Sequence, residues 1–541
     1  VNEQTEAVHS RVDVVICGMG PTGLLLALLL GKQGLQVVVL EQDLQPSGQS
    51  RAVHTDGECL RIFQSVGLAD RLVENMLTDV PVRLVSATGQ ALAEVRDPRK
   101  TYGWPDSNFF HQGFLEIELQ KSLSQIPNVQ LRRGLAVTFF SQTAENVLIE
   151  FRRHRDPHSP LESLQARFLV GCDGGRSTVR ELMGAKLVGR NFADPWLVLD
   201  LSIKPGAQLL VDWPHFNFIL DPLGPAVSCS LPHGQHRFEF QLQANEVPAA
   251  ARGDKVAQLI SRFVDPGMVE VVRSVVYQFN ALIADRWQDR RVFLAGDAAH
   301  MSPPFVGQGL SSGFRDAANL AWKLTAVVRG QWTNRILRSY QFEREPHAQA
   351  MIQMAVLVGG LVSIHNRLLA WCRNWLLRSF VRLPVLGPFV REIRFKPAPR
   401  FKGTSFFGLK PRHKQDLAGH LLPQPQVIDQ TGQCQRLDDL LGGGFALLGD
   451  AVDPREGLTP HDLSFWTDRG TRFLILNPPA GLRHDPSAVV IEDPALVLQR
   501  WLRSFKSNNF GVAIIRPDRY LFGVVQVSDL AEATEAIRSW R

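Results

Sequence analysis

The sequence predicts an α/β protein in which a Rossmann-like parallel sheet is interrupted by an inserted antiparallel sheet and followed by a second α/β domain. Three observations predict it. First, Val12–Cys17 (VDVVIC), a helical pattern over Thr22–Gln33 and Gln36–Glu41 (QVVVLE) read as strand, helix, strand. Both strands are dominated by Val, Ile and Leu, as parallel strands covered on two faces are, and a right-handed crossover is expected. Second, between Asp194 and Tyr277 the texture changes to alternating runs, Asn217–Leu220, Ala226–Leu231 and Arg237–Leu242, separated by Pro, Gly and His. Alternation with turn residues between the runs predicts antiparallel strands. Third, strand-like runs resume beyond Gln426, at Phe445–Leu448, Phe473–Leu476, Gly511–Ile515 and Leu521–Val527.

In chain order, residues 1–190 read as the first part of the nucleotide-binding domain, 191–284 as the inserted sheet, 285–400 as the second part with a helical segment, 401–425 as a linker and 426–541 as the C-terminal domain. The first part has helical patterns at Gly57–Val66 and Phe114–Leu123, and strand-like runs at Val137–Gln142, Val147–Arg152 and Phe168–Gly171. Val292–Gly296 (VFLAG) returns to a buried strand, and a long helix is predicted from Gly309 to Arg329. Pro346–Arg391 is helical in texture and rich in Trp, Leu and Arg, while Lys396–Gly403 (KPAPRFKG) and Pro423–Pro425 are breaker-rich.

Composition bounds the function. Of 541 residues, 45% are hydrophobic and 21% charged, which excludes a wholly disordered chain. A net charge of +6 over this length does not imply nucleic-acid binding. None of the six cysteines is paired as C-x-x-C, so neither a zinc site nor a redox dithiol is read, and a reducing, cytoplasmic setting is expected. No basic and then apolar leader pattern opens the chain, so no signal peptide is expected. The uncharged stretch Ala348–Ile364 contains Gln349, Gln353 and Gly359-Gly360. It reads as a buried or surface-lying amphipathic helix in preference to a membrane span, which leaves peripheral membrane contact open.

Three segments carry chemistry. Gly18-x-Gly20-Pro21-Thr22-Gly23 joins the first strand to the first helix. Gly18 permits the turn, Gly20 lets a pyrophosphate approach the backbone, Gly23 lets helix and strand pack, and the helix start offers N–H groups and the positive end of a dipole. Glu41, followed by Gln42, ends the second strand, where a carboxylate can grip the hydroxyls of an unphosphorylated adenosine ribose. Phe168–Arg180 (FLVGCDGGRSTVR) is a second strand end, with Asp173 after it and Ser177 as a helix cap. Arg291–Gly309 (RVFLAGDAAHMSPPFVGQG) is a third, ending in Gly296-Asp297 and opening the long helix. Asp297 can bind a ribityl hydroxyl, and that helix start can face the pyrimidine edge of a flavin. His300 is read as a packing residue.

These segments, together and in this order, resemble the group A flavoprotein monooxygenases, the p-hydroxybenzoate hydroxylase type. Ser50–Val53, Glu58–Leu68, Phe109–Leu119, Arg237–Leu242, Tyr277–Ala284 and Ile393–Phe401 look like the 3-(3-hydroxyphenyl)propionate hydroxylase branch. Leu440–Leu448 and Ile515–Tyr520 look like the thioredoxin-like tail of phenol hydroxylases, with Arg519 where that tail commonly has Gly and with no dithiol. The resemblance implies that Gly18, Gly20, Pro21, Thr22, Gly23, Glu41 and Gln42 hold the ADP half of FAD. It implies that Arg51 and Gln112 reach the pyrophosphate and ribityl region and that Asp173 sits near the dinucleotide. Asp297 would bind the ribityl chain, and Gly307, Gly309 and Leu310 the isoalloxazine edge. Pro304 would place its carbonyl beside the flavin's reactive face. Tyr277 lies on a strand running toward the substrate, or is a sheet-core aromatic.

The resemblance further implies NADH or NADPH docking transiently to reduce FAD, O₂ adding to the reduced flavin as a C4a-hydroperoxide, and hydroxylation of a small phenolic aromatic, such as a 3-hydroxyphenylpropionate-like acid. Trp196, Trp213, Phe216 and Phe218 suit an apolar pocket. Tyr277, His215, His233 and His236 are candidates to draw off a phenol proton, and Arg190 or Arg237 to meet a substrate carboxylate. Baeyer–Villiger oxygenation or epoxidation of a larger apolar polyketide or terpenoid is the leading alternative on the same scaffold. A non-catalytic FAD-binding or membrane-surface adaptor and a simple flavin reductase are the rivals of other classes. The oligomeric state is left open, a homodimer included.

Overall fold

The computed structural model describes residues 12–46, 51–207, 216–247, 253–392, 394–401, 417–482, 484–503 and 511–539. Ser50, Trp213, His215 and Ile393, singled out above, lie outside the described residues.

The central sheet runs Gln288–Asp289, Val292–Leu294, Glu162–Gly171, Val12–Cys17, Val37–Glu41, Val129–Arg133. Its last five strands are parallel, with Val15 paired to both Leu169 and Val38. Their carboxyl ends therefore share one edge, which carries Cys17, Glu41, Gly171 and Leu294. The continuous apolar runs arise because both faces are covered: Val14, Val15 and Ile16 are fully buried, as are Leu24 to Leu28 of the Pro21–Lys32 helix above them. The Gly309–Val328 helix lies against that first helix. Antiparallel strands Leu135–Gln142 and Val147–Arg153 extend from Glu162–Gly171.

The inserted antiparallel sheet is larger than the sequence reading of 191–284. Its order is His300–Met301, Val269–Ala284, Leu187–Ile203, Gln235–Gln241, Ala226–Ser230, Phe216–Leu220, Val82–Ser86, Ala91–Val95. The last two strands come from the segment read as wholly nucleotide-binding. Val82–Ser86 adds parallel to Phe216–Leu220, a long-range pairing that no local pattern announces. One face of the sheet is a closed core: Leu197, Leu199, Leu201, Phe238 and Phe240 pack on Val256, Ile260 and Phe263.

In the helical segment, Ser339–Val362 starts earlier than the pattern from Pro346 suggested and carries Pro346 inside it. Arg367–Arg382 and Leu386–Arg391 follow. Among the described residues no single helix is long and apolar enough to cross a membrane.

The C-terminal domain is a seven-stranded mixed sheet with Ala446–Asp450, Arg472–Leu476 and Val489–Glu492 parallel at its centre. The linker reading of 401–425 needs correction at its end. Leu417, Leu421 and Leu422 are buried, and Leu421 bridges Tyr520. The prolines there shape a packed extended segment instead of a free one. The domain is docked by buried charge. Arg516 donates to Glu343 at 2.8 and 2.9 Å and to Asp518 at 2.7 Å, and Lys323 pairs with Glu343 at 2.8 Å. Arg61 pairs with Asp438 at 2.6 Å.

Burial alone would raise the Glu343 pKa, but Arg516 and Lys323 outweigh it and hold the carboxyl at about 2. The stability it contributes is fully present above the ordinary glutamate range and is lost as pH falls from about 4.3 toward 2. In a pH series of denaturant melts, Glu343→Gln is expected to lack this part of the acid dependence. Arg516→Met, which leaves Glu343 with Lys323 and Asn319 and takes the guanidinium from Asp518, is expected to cost about 3–5 kcal/mol at neutral pH.

Candidate cofactor and substrate site

The site begins where parallel strands stop. Gly18 sits at φ +104°, and a Cβ there would lie 2.4 Å from the Cys172 carbonyl oxygen. The two strand ends thus approach as closely as backbone allows. A Cβ on Gly23 would lie 2.2 Å from the Gly18 carbonyl, so helix and turn need that hydrogen as well. Gly20 differs: a Cβ would meet nothing within 4 Å. It is the extended N-cap of the Pro21–Lys32 helix, with no side chain capping it, so the first N–H groups of that helix face open space. Thr22 packs its hydroxyl beside Gly296 and Gly313, bringing the first and third glycine segments together. Glu41 accepts from the Met19 N–H at 2.8 Å and the Asp43 N–H at 3.0 Å, which fixes its carboxylate at the rim; Gln42 is exposed beside it.

The Gly296-Asp297 corner is held from behind. Asp316, on the long helix, accepts from the Gly296 N–H at 3.1 Å, bonds His300 Nε2 at 2.6 Å and accepts from Arg344 at 2.9 Å. His300 therefore has a structural partner, consistent with its reading as a packing residue. Asp297 has no hydrogen-bond partner among the described residues; burial pushes its pKa up, opposed by His300 and Arg51.

Arg51 is pinned through its backbone. Its N–H and that of Ala52 donate to Gln112 Oε1 at 2.9 Å, and its carbonyl accepts from Arg237 at 2.8 Å. Gln112 thus orients Arg51. Asp173 is turned inward, accepting from Ser177 Oγ at 2.5 Å and the Val179 N–H at 3.1 Å, so it is the backbone of Cys172 and Asp173 that faces Gly18. Ser177 caps the Thr178–Leu182 helix as expected.

The loop before the long helix is equally constrained. The Pro304 carbonyl accepts the Gly307 N–H at 2.8 Å, and Gly307 adopts φ +61°. Gln308, buried before Gly309, accepts from Arg315 at 3.0 Å, and Arg315 is anchored by Asp56 at 2.5 Å and Glu58 at 2.6 Å. Tyr520 of the C-terminal domain donates to Glu58 at 2.8 Å. Leu310 packs at the edge of the main core.

The second face of the inserted sheet turns toward this edge. It is aromatic at one end, where Trp196, Phe279 and Phe305 meet at 5.5–5.7 Å. Farther along it is charged: Asp200 is shared by Arg237 at 2.7 Å and Arg273 at 3.0 Å. Tyr277 lies between, its hydroxyl accepting from Arg273. Of the carboxylate partners expected, Arg237 is built into this cluster, while Arg190 is an exposed residue stacked on Phe192. Of the proton acceptors, His236 is buried against Ser228 at 3.0 Å, and His233 is exposed in a turn at φ +61°.

The sequence missed His54. It lies against Gly307, edge-on to Phe109 at 5.1 Å, with Nδ1 buried toward the Gly307 backbone. Burial lowers its pKa to about 4, so the ring is neutral at physiological pH. Asp316, Arg315 and Glu239 were missed as well. For Arg315 and Asp316 the available signal was an adjacent pair of opposite charges within the predicted long helix, since such charges are buried only when paired.

The open cradle at Gly20, the rim carboxylate of Glu41 and Asp297, whose carboxylate accepts no hydrogen bond among the described residues, fit FAD: helix N–H groups for pyrophosphate and acceptors for ribose and ribityl hydroxyls. Comparison with known proteins agrees. An FAD binding domain family model matches residues 11–355, and an HcaD C-terminal domain model matches residues 419–539. The chain belongs to the FAD-binding flavoprotein monooxygenase family. It is 36% identical over 539 residues, 98% of this chain and 92% of the relative, to a 3-(3-hydroxy-phenyl)propionate/3-hydroxycinnamic acid hydroxylase of Mycobacterium sp. (strain JLS). It is 37% identical over 531 residues, 96% of this chain and 90% of the relative, to the protein of that name from Mycobacterium avium (strain 104). The fold matches aklavinone-11 hydroxylase bound to FAD and aklavinone (TM-score 0.76, 21% identity, 97% of this chain and 98% of that one). It also matches the flavin-dependent monooxygenase PieE bound to FAD and substrate (TM-score 0.80, 20% identity, 98% of each chain).

Two glycine substitutions separate fold from family ligand. Gly20→Val is expected to keep the thermal midpoint of the apoprotein while weakening FAD binding by about 10–100-fold in a fluorescence titration. Gly18→Ala is expected to abolish soluble folded protein, because its Cβ would overlap the Cys172 backbone.

Proposed function

We propose that the protein is an FAD-dependent monooxygenase that uses NADH or NADPH and O₂ to hydroxylate a small phenolic acid of the 3-(3-hydroxyphenyl)propionate or 3-hydroxycinnamate kind. One observation carries the substrate class. The glycine-bearing edge is faced by a sheet surface that is aromatic at one end and holds two guanidinium groups around Asp200 at the other. The names of the relatives support the same class. Bound along that edge, FAD supplies electron transfer from the nicotinamide and activation of O₂.

The chain's residues bind, orient and exclude water. Gly18, Gly20, Pro21, Thr22, Gly23, Glu41 and Gln42 hold the ADP half, Arg51 and Asp297 the middle, and Gly307, Gly309 and Leu310 the ring edge, with the Pro304 carbonyl beside it. Gln112 acts by fixing Arg51, and Asp173 by shaping the turn against Gly18. Trp196, Phe279 and Phe305 keep the pocket dry. His54, half-buried, meets the substrate hydroxyl with the part of its ring that is not packed against Gly307. Between an imidazole at about 4 and a phenol near 10, full proton transfer would cost about 8 kcal/mol, so His54 orients and polarises the hydroxyl and does not carry the proton away. Burial pushes the pKa of the Glu239 carboxyl up beside this cluster around Asp200, and Arg273, at its edge, meets the substrate carboxylate. Tyr277 holds Arg273 in place. The mixed C-terminal sheet supports a thioredoxin-like domain that packs on the FAD domain and exchanges no dithiol, Cys434 being its lone cysteine.

The test is a panel of phenolic acids, neutral phenols and apolar ketones, scored for stimulated NAD(P)H oxidation and for incorporation of isotopically labelled O₂. Nicotinamide oxidation with no label in any product would overturn the reading. His54→Phe is expected to lower product formation by about 10²-fold while nicotinamide oxidation persists as peroxide release. Arg273→Met is expected to raise KM for the acid about tenfold and to leave a neutral phenol nearly unchanged.

A further inference from the structure

The Arg367–Arg382 helix buries the wrong side of itself for an ordinary surface helix. Asn366 caps it, accepting from Leu368 and Leu369 N–H groups at 2.9 and 3.1 Å. Its inward side is fixed by Ala370, by Leu377 packed on the Trp196 cluster, and by Arg373, which is buried and donates to the Leu220 carbonyl at 2.7 Å and the Leu361 carbonyl at 3.0 Å. The outward side is apolar. Leu368 is 68% exposed, Trp371 65%, Leu369 and Trp375 58%, and Leu376 and Phe380 40%. At about 100° per residue these six span roughly half the helix circumference. Leu383, Val385 and Phe389 continue the patch past the helix end.

Arginines border it. Arg367, Arg378 and Arg382 line one flank of the helix and Arg391 the segment after it, and none has a carboxylate within ion-pair distance among the described residues. Glu392, the one acidic residue between Arg367 and Arg400, is engaged by Arg394 at 2.9 Å.

We propose that this face docks the enzyme on an anionic phospholipid surface, with the Trp and Leu side chains in the headgroup–acyl boundary and the arginines among the phosphates. Charge decides between occupants. A second copy would bring the same basic, acid-poor face against this one and offer its arginines no counter-charge; an anionic lipid surface offers one for each. The helix lies on such a surface and does not cross it. It meets the preceding Ser339–Val362 helix at 116°, and that helix is packed into the protein, with Gly359 so close to Phe305 that a Cβ would lie 2.5 Å from the ring. The inward side packs on the Trp196–Phe305 cluster, so an arene dissolved in lipid would meet the protein beside the proposed substrate face. That last step rests on the monooxygenase reading; lipid docking does not.

The test uses the FAD-loaded full chain and co-sedimentation with vesicles of phosphatidylcholine, alone or with about 30% phosphatidylglycerol. Binding to the anionic vesicles is expected to be at least about tenfold tighter, since each arginine near such a surface contributes roughly fivefold, and to weaken in high salt. Trp371→Ser/Trp375→Ser is expected to abolish sedimentation with the thermal midpoint and the turnover of a soluble substrate unchanged. Arg367→Gln/Arg378→Gln/Arg382→Gln is expected to erase the preference for anionic lipid. No sedimentation of the wild-type protein overturns the proposal, as does sedimentation insensitive to the Trp substitutions. Concentration-dependent dimers that the Trp substitutions dissociate would assign the face to a second copy and overturn it too. Failure of the activity test with vesicle binding intact would remove the monooxygenase reading and leave the docking surface standing.

Discussion

The structure depends on one close approach: the turn after Val12–Cys17 lies against the backbone after Glu162–Gly171, so near that Gly18 can carry no side chain. Parallel pairing forces the strand ends to one edge, and this contact closes the edge into a floor. Gly23 then seats the first helix on the turn, Thr22 wedges that helix against Gly296 and Gly313, and the long helix is drawn alongside. Peptide N–H groups at the start of the first helix and the loop leading into the long helix are thereby brought to one surface, which a bound dinucleotide can bridge.

Buried charge stabilises what the glycines make possible. Asp316 is bonded to Gly296, His300 and Arg344 with no exposure to water, and these partners outweigh burial and hold its pKa below the usual carboxylate range. Arg315 links Gln308 to Asp56 and Glu58, and Tyr520 continues that chain into the C-terminal domain. The C-terminal domain is therefore mechanically continuous with the loop at the ring edge. Such networks are costly to leave half-satisfied, which ties the rigidity of the site to domain packing.

How much of this was legible varies with range. The βαβ unit, the glycine segment, Glu41, the Gly296-Asp297 corner and the Gly309–Val328 helix were read from patterns only a few residues long, and helix and strand limits differ from the readings by one or two residues. The hairpin Val82–Ser86 and Ala91–Val95 was not read; what places it in the inserted sheet is the pairing of its first strand with Phe216–Leu220, more than a hundred residues away. Gln112 and Asp173 were assigned toward the cofactor, and their side chains instead hold Arg51 and the Ser177 cap. A side chain's residue type does not disclose which way it turns.

Local order along the chain was enough to specify the fold class and the cofactor cradle. Strand apolarity, glycine spacing and a terminal carboxylate act over a few residues, and backbone sterics leave them little choice. Tertiary structure decided what lies opposite that cradle: His54 against Gly307, Asp200 shared by two arginines, and an apolar helix face left toward solvent. Each is made by residues from separate strands or helices, and burial, which sets their charge state and exposure, exists only once those elements have packed.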